Sequence, residues 1–231
     1  MYASIPNLRL DMCHGMTVGI IGRKGSGKDT VANVLANEYG FYTTRFAKRL
    51  YKEVAEAFRI DVAVLEDRNT KESPLSCLTL GACDDGDFWK TALLHLRKEK
   101  ETNTGSGWFI NPMTRDFVLS PRKVLQLWGT EYRRSQDNYY WVKWLEADIA
   151  AQDNEFVVIA DVREDFEAAY VKRRDRGYNL KTVRPSNPYD SGNGTSSHSS
   201  ETRVDTLAFD RLLMNDGTLA ELQGKVRELV L

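Results

Sequence analysis

The residues Gly22-Arg23-Lys24-Gly25-Ser26-Gly27-Lys28-Asp29-Thr30 set an amine, a carboxylate and a hydroxyl behind closely spaced glycines. Glycines allow successive backbone N–H groups to turn toward one anion, and a helix beginning there adds positive dipole. The Lys28 ammonium would then reach the β and γ oxygens of a nucleoside triphosphate. Lys24, Gly25, Ser26, Gly27, Lys28, Asp29 and Thr30 are therefore the expected ATP contacts. The usual motif has Ser or Thr after the lysine to hold magnesium, and Asp29 occupies that place here. Asp29 is read as holding or orienting Mg²⁺, directly or through water. The alternative is an acidic first-turn residue that favours the helix dipole.

A second anion site is expected along residues 121–134. Ser120-Pro121 is a helix start, with Ser as N-cap and Pro at the first helical position. At 100° per residue, Arg122, Gln126, Gly129 and Arg133 share one narrow stripe, while Val124, Leu125, Leu127, Trp128 and Tyr132 take the other side. A solvated face would give the same stripe, but a glycine inside a helix suits a ligand that comes close to the backbone. Arg122 would then fork onto a substrate phosphate, with Lys123 at its edge and Gln126 reading a base. Trp141 lies in the following run, where it either packs in the core or stacks on a base.

A third group of residues follows an apolar run. Residues 156–160 read as a buried parallel strand whose carboxyl end carries Asp161, Val162 and Arg163. Ligands of open α/β sheets bind at such ends. Asp161 is placed to hold Mg²⁺ waters or a sugar hydroxyl, and Arg163 to hold a phosphate, with a helix-capping ion pair as the competing reading. Glu167 could accept from a ribose or base. Asn215-Asp216-Gly217-Thr218 would line the ATP base, or form a turn with an N-cap. Arg184 and Arg203 are candidate lid cations.

These residues need a scaffold of alternating strands and helices. Short apolar runs place strands at 17–21, 41–46, 156–160, 179–183 and 211–214. Helical patterns fill 28–39, 48–58, 121–134, 139–151, 165–176 and 219–229. The implied class is α/β, with parallel strands joined by crossover helices. Residues 98–115 read as an inserted loop or hairpin, and the Ser-, Gly-, Asn- and Pro-rich stretch 185–203 as a lid-like loop. Residues 1–15 read as a loose extension ahead of Met16.

Composition narrows the partners. The 231 residues carry 32 Lys plus Arg against 33 Asp plus Glu, a formal charge of −1. That balance disfavours stable binding of a nucleic-acid duplex, which asks for a basic excess. Three cysteines and three histidines, scattered along the chain, supply no metal-cluster spacing and suit a reducing cytoplasm. No apolar run reaches membrane-spanning length, so no membrane partner is expected.

The ordered set resembles the bacteriophage deoxynucleoside monophosphate kinases, a branch of the P-loop nucleoside monophosphate kinases. It consists of Gly25 to Thr30, Phe46-Ala47 with Leu50, Ser120 to Lys123 with Leu125-Gln126, Gly129 to Glu131, Trp141-Val142, Asp161 to Arg163 with Glu167, His198 with Ser200-Glu201, and Asn215 to Thr218. The resemblance implies a P-loop NTPase-type three-layer sandwich with a parallel five-stranded sheet. It implies one kinase domain over 16–231, with a helical substrate-binding insertion at 48–155 and a lid. It also implies phosphorylation of deoxynucleoside monophosphates with ATP and Mg²⁺, in the cytoplasm of an infected host if the protein is viral. Phe46, Arg122, Lys123, Gln126, Gly129, Thr130, Trp141, Asp161, Arg163 and Glu167 would surround the monophosphate. Lys28, Asp29, Arg122, Asp161 and Arg163 would serve catalysis, with Asp29 and Asp161 at the metal. Glu164-Asp165-Phe166-Glu167 departs from the family's usual Phe-x-Asn-Glu after Asp-Val-Arg. The oligomeric state stays open, a homodimer included. Rival readings are another small-molecule P-loop kinase, of the phosphomevalonate or dephospho-coenzyme A type, and a nucleotide-gated binding protein.

Overall fold

The computed structural model describes residues 15–104, 115–186 and 203–230. Two compact units are present: Met1–Phe46 with Leu145–Leu231, and Ala47–Trp144.

The first unit is built on five parallel strands in the order β2-β3-β1-β4-β5. They are β1 (Met16–Ile21), β2 (Tyr42–Thr44), β3 (Phe156–Val162), β4 (Gly177–Val183) and β5 (Arg211–Met214). β1 runs down the middle, wholly buried, with Val18 paired to Val158 on one side and Tyr178 on the other. Such continuous apolar runs are what a parallel sheet covered on both faces requires. Val18, Ile20, Val158, Leu180 and Leu213 pack in one core with Val31, Leu35, Leu222 and Val226. Those last four lie on α1 (Lys28–Tyr39) and α8 (Leu219–Val230). The opposite face of β1 meets α7 (Asp165–Arg173). A Cβ on Gly19 would come within 2.8 Å of Val171 and of Asn179, so only glycine lets α7 approach so closely. The α/β sandwich expected from the sequence is therefore present.

The second unit contains α2 (Ala47–Phe58), α3 (Val62–Glu66), α4 (Gly86–Thr104), and α5 (Pro121–Gln126) continuing as a π-helix over Leu127–Arg134. α6 (Tyr140–Ala150) leads back to the sheet. α4 corrects the reading of a loop or hairpin from residue 98, because 98–104 are its last turns. Its buried stripe is narrow: Phe88, Ala92 and Leu96 recur every fourth residue while Leu94 is exposed. Asp85 starts it, accepting from the Asp87 and Phe88 amides at 3.0 and 2.9 Å. α7 ends at Arg173 rather than 176, where Arg176 takes a left-handed φ of 48° and leads into β4. Residues 1–14, 105–114 and 187–202 lie outside the described residues, and with them the leading extension, much of the lid-like loop and His198, Ser200 and Glu201.

Candidate phosphate-binding and acceptor sites

The loop after β1 is shaped by three glycines. Gly25 and Gly27 take φ of 77° and 103°, backbone that side chains disfavour. A Cβ on Gly22 would stand 2.5 Å from both the Ser26 and Thr182 hydroxyl oxygens. Those hydroxyls are 2.9 Å apart, and Thr182 donates on to the Ile21 carbonyl at 3.2 Å. On the far wall, the Asn215 amide donates to the Ser26 carbonyl at 3.0 Å. The loop is thus fixed from β4 on one side and from the end of β5 on the other. It opens α1, whose N-cap Gly27 has no side-chain capping bond. The first-turn N–H groups of a helix lack intrahelical partners, so this terminus suits an anion. The Lys28 ammonium curls back to the Arg23 carbonyl at 2.7 Å. Asp29 stands exposed in the first turn, and Thr30 follows half-buried.

Asp161 sits on the same sheet's carboxyl edge. β3 extends through Val162, and the pairing slips between Gly19↔Ile159 and Ile21↔Val162. That bulge gives β3 one extra residue beside the phosphate loop, a device that re-aims a side chain. Asp161 Oδ1 accepts the Phe46 amide at 2.7 Å. Phe46 itself is buried edge-on to Tyr170, so its ring is packing in this unit. Arg163 is exposed. Glu167 corrects the sequence reading: it is 1% exposed, and its Oε2 accepts the Arg163 and Glu164 amides at 2.8 and 3.2 Å. Its carboxylate belongs to the capping box of α7, which fixes the Asp161–Arg163 turn rather than reaching a ribose.

The sequence names Arg203 as a candidate lid cation but not the turn that carries it. The turn 203–206 is anchored by buried Val204 and Leu207. It presents Arg203 to Glu164 at 2.7 Å and Asp205 to the Arg23 guanidinium. Lys181, 6% exposed, donates to the Asp205 carbonyl at 2.7 Å, and burial lowers its pKa. A lone apolar pair at spacing three carries too little pattern to announce such a turn. Arg184 is exposed past the end of β4. Asp216 and Thr218 serve the turn reading: Thr218 caps α8 with Glu221, and Asp216 pairs with Lys225.

In the second unit, Ser120 caps α5 by accepting the Lys123 amide at 3.2 Å. Arg122 and Lys123 lie half-buried in the first turn, each against a carboxylate. Arg122 pairs with Glu72, and Lys123 reaches both oxygens of Glu99 at 2.6 and 2.7 Å. Burial opposes ionisation of Glu99, but Lys123 and His95 outweigh it and hold its pKa below the ordinary value. Gln126 is half-buried and Thr130 exposed. Gly129 is buried, and a Cβ there would meet Leu50 at 3.2 Å. Close packing therefore accounts for this glycine without a ligand. Trp141, 3% exposed, donates its indole N–H to the Gly129 carbonyl at 3.1 Å and so packs in the core of this unit. Arg133 leaves the expected stripe, because the π-helix begun at Leu127 invalidates the 100° count, and it bonds Glu53 at 3.0 Å.

Among the described residues no cluster of three or more metal-ligating side chains exists. Magnesium does not need one, since one or two carboxylates with substrate phosphates and waters suffice. Asp29 beside the phosphate loop and Asp161 on the bulge have the right chemistry.

A family model described as deoxynucleotide monophosphate kinase matches residues 89–226. A protein of Acanthamoeba polyphaga mimivirus, provisionally assigned the same activity, is 27% identical over 222 residues, 90% of this chain and 93% of its own length. The crystal structure of TT1252 from Thermus thermophilus covers 94% of this chain and 96% of its own at 15% identity, with a TM-score of 0.44.

Proposed function

Since the chain belongs to the deoxynucleotide monophosphate kinase family, we propose that it transfers the γ-phosphoryl group of ATP, with Mg²⁺, to deoxynucleoside 5′-monophosphates and releases the diphosphates. Kinase activity on a nucleotide follows from the family. The phosphate loop lies ahead of the matched segment, and its geometry is the observation that carries the choice of donor: left-handed glycines, an uncapped helix start and Lys28 beside it.

Phosphoryl transfer asks for positioning and charge neutralisation more than covalent chemistry. In this reading the loop amides and Lys28 hold the β- and γ-phosphates, and Lys28 exchanges the Arg23 carbonyl for phosphate oxygen. Mg²⁺, held by Asp29 and Asp161 with phosphate oxygens, would supply further charge neutralisation. Arg122 and Lys123 exchange Glu72 and Glu99 for the acceptor phosphate, and Arg163 adds charge from the edge of β3. Gln126 and Thr130 contact the nucleoside.

The test is ADP release from Mg-ATP with a panel of deoxy- and ribonucleoside monophosphates, products identified by chromatography. Acceptor-dependent ADP with the matching deoxynucleoside diphosphate is expected. ADP formed without any acceptor would instead fit a nucleotide-gated binding protein.

A further inference from the structure

Glu53 lies on α2 with 5% of its surface exposed, yet its carboxylate takes four donors. Oε1 accepts from the Tyr140 hydroxyl at 2.6 Å and Arg49 Nε at 3.0 Å. Oε2 accepts from Trp128 Nε1 and from Arg133 Nε, each at 3.0 Å. Both oxygens are thus satisfied and the charge is paired, as burial of a carboxylate demands.

The two donors that share Oε2 are the informative ones. Trp128 and Arg133 stand five residues apart in sequence. In an α-helix that spacing leaves side chains about 140° apart around the axis, on different faces. A helix closed by i→i+5 bonds brings the fifth residue round to nearly the same face. Leu127–Arg134 is such a π-helix, so both side chains meet one oxygen. Converted to α, the segment could not deliver both. Arg133 is held further by the faces of Tyr132 at 4.5 Å and Tyr140 at 5.2 Å. Tyr132, next to it, donates to Asp85 at 2.9 Å. Long π segments are rare, and no proline interrupts this one. The side-chain contacts that depend on the register are the interactions available to sustain it.

We propose that Glu53 is a positioning residue that holds 127–134 in the π register and thereby sets how Gly129 and Thr130 lie relative to Arg122, Lys123 and Gln126. The positioning half rests on the reading of this helix as the deoxynucleoside monophosphate site; the register half stands on geometry alone. Returning the segment to α would rotate Thr130 and Glu131 away from their present directions while leaving α5, and with it Arg122, in place.

The test uses full-length protein with Glu53→Gln and, as a change that leaves the carboxylate in place, Trp128→Phe, which keeps an aromatic side chain and removes one donor. NMR contacts along 127–134 report the register whatever the substrate. Expected are loss of i→i+5 contacts in favour of i→i+4, a shifted Trp128 indole N–H resonance in Glu53→Gln, at least a tenfold rise in KM for the deoxynucleoside monophosphate, and an ATP KM within twofold of wild type. Retention of the π contacts in both variants overturns the proposal. Loss of the register with an unchanged monophosphate KM overturns the positioning half. A wild-type protein that phosphorylates no deoxynucleoside monophosphate sinks the functional reading and the positioning half together, and the NMR comparison still decides whether Glu53 holds the register.

Discussion

At the scale of single residues, three of the cations that would bind phosphate are each held by another group. Lys28 bonds a carbonyl of its own loop, Arg122 a glutamate, Lys123 another glutamate. A phosphate can replace each partner: it accepts more strongly than the neutral carbonyl that holds Lys28, and it brings more negative charge than the single carboxylate facing Arg122 or Lys123. Removal of Lys28 should therefore fall on transition-state stabilisation. Lys28→Ala is expected to lower kcat at least a hundredfold, about 3 kcal/mol by comparison with other preorganised donors, while its circular dichroism stays that of wild type. Glu72 bears on the acceptor side in the opposite sense. Its side chain is 65% exposed, so the pair with Arg122 adds little stability. Glu72→Gln should lower KM for the monophosphate twofold or more and leave the melting temperature within a degree or two; an unchanged KM would place the acceptor phosphate elsewhere.

At the scale of elements, legibility followed the strength of local pattern. β1 with its loop could be read because a buried strand, left-handed glycines and a helix start fall in one short stretch, each with its own chemical signature. The end of β3 was read as to place and not as to detail: the bulge that carries Asp161 and the capping by Glu167 depend on pairing with β1 and on the turn into α7. The helix from Pro121 is legible at Ser120-Pro121 and departs from the sequence pattern beyond Gln126, where tertiary bonds to Glu53 override a count that assumes α geometry. α4 escaped because its buried stripe is only one residue wide. The start of α1 offers a direct test. Gly27 combines φ of 103° with 2.8 Å approaches of a would-be Cβ to Asn215 and Leu222. Gly27→Ala must strain the backbone and push Asn215 off the Ser26 carbonyl, a loss on the order of 1–3 kcal/mol. Denaturant titration should show the lower stability, and ATP affinity should fall with it; a variant as stable as wild type would mean that the loop adopts another conformation.

For the whole molecule, the distribution of paired carboxylates sets how stability responds to acid. Glu38, Asp137 and Asp216 have lowered pKa values through bonds from Arg227, Lys143 and Lys225 at the surface, where salt screens such pairs; Glu221 is lowered by Thr218, and Glu99 by Lys123 and His95 against its burial. Glu53 differs because it is buried. Burial by itself would raise its pKa, but hydrogen bonds from Tyr140, Trp128 and Arg49 together with the Arg133 charge prevail and hold it low. A carboxyl group with a lower pKa folded than unfolded contributes stability above its unfolded pKa, about 4.3. That contribution is lost as pH falls through the folded value, because the unfolded chain then binds more protons. The melting temperature should therefore fall below about pH 4.5. Salt should weaken the part due to exposed ion pairs and leave the part due to Glu53 in place. Glu53→Gln should melt lower than wild type at pH 7 and show a shallower decline between pH 4.5 and 3, in low salt and high salt alike. A wild-type slope in the variant would mean that the four-donor cluster does not keep Glu53 ionised, and the acid response would then belong to the other carboxylates.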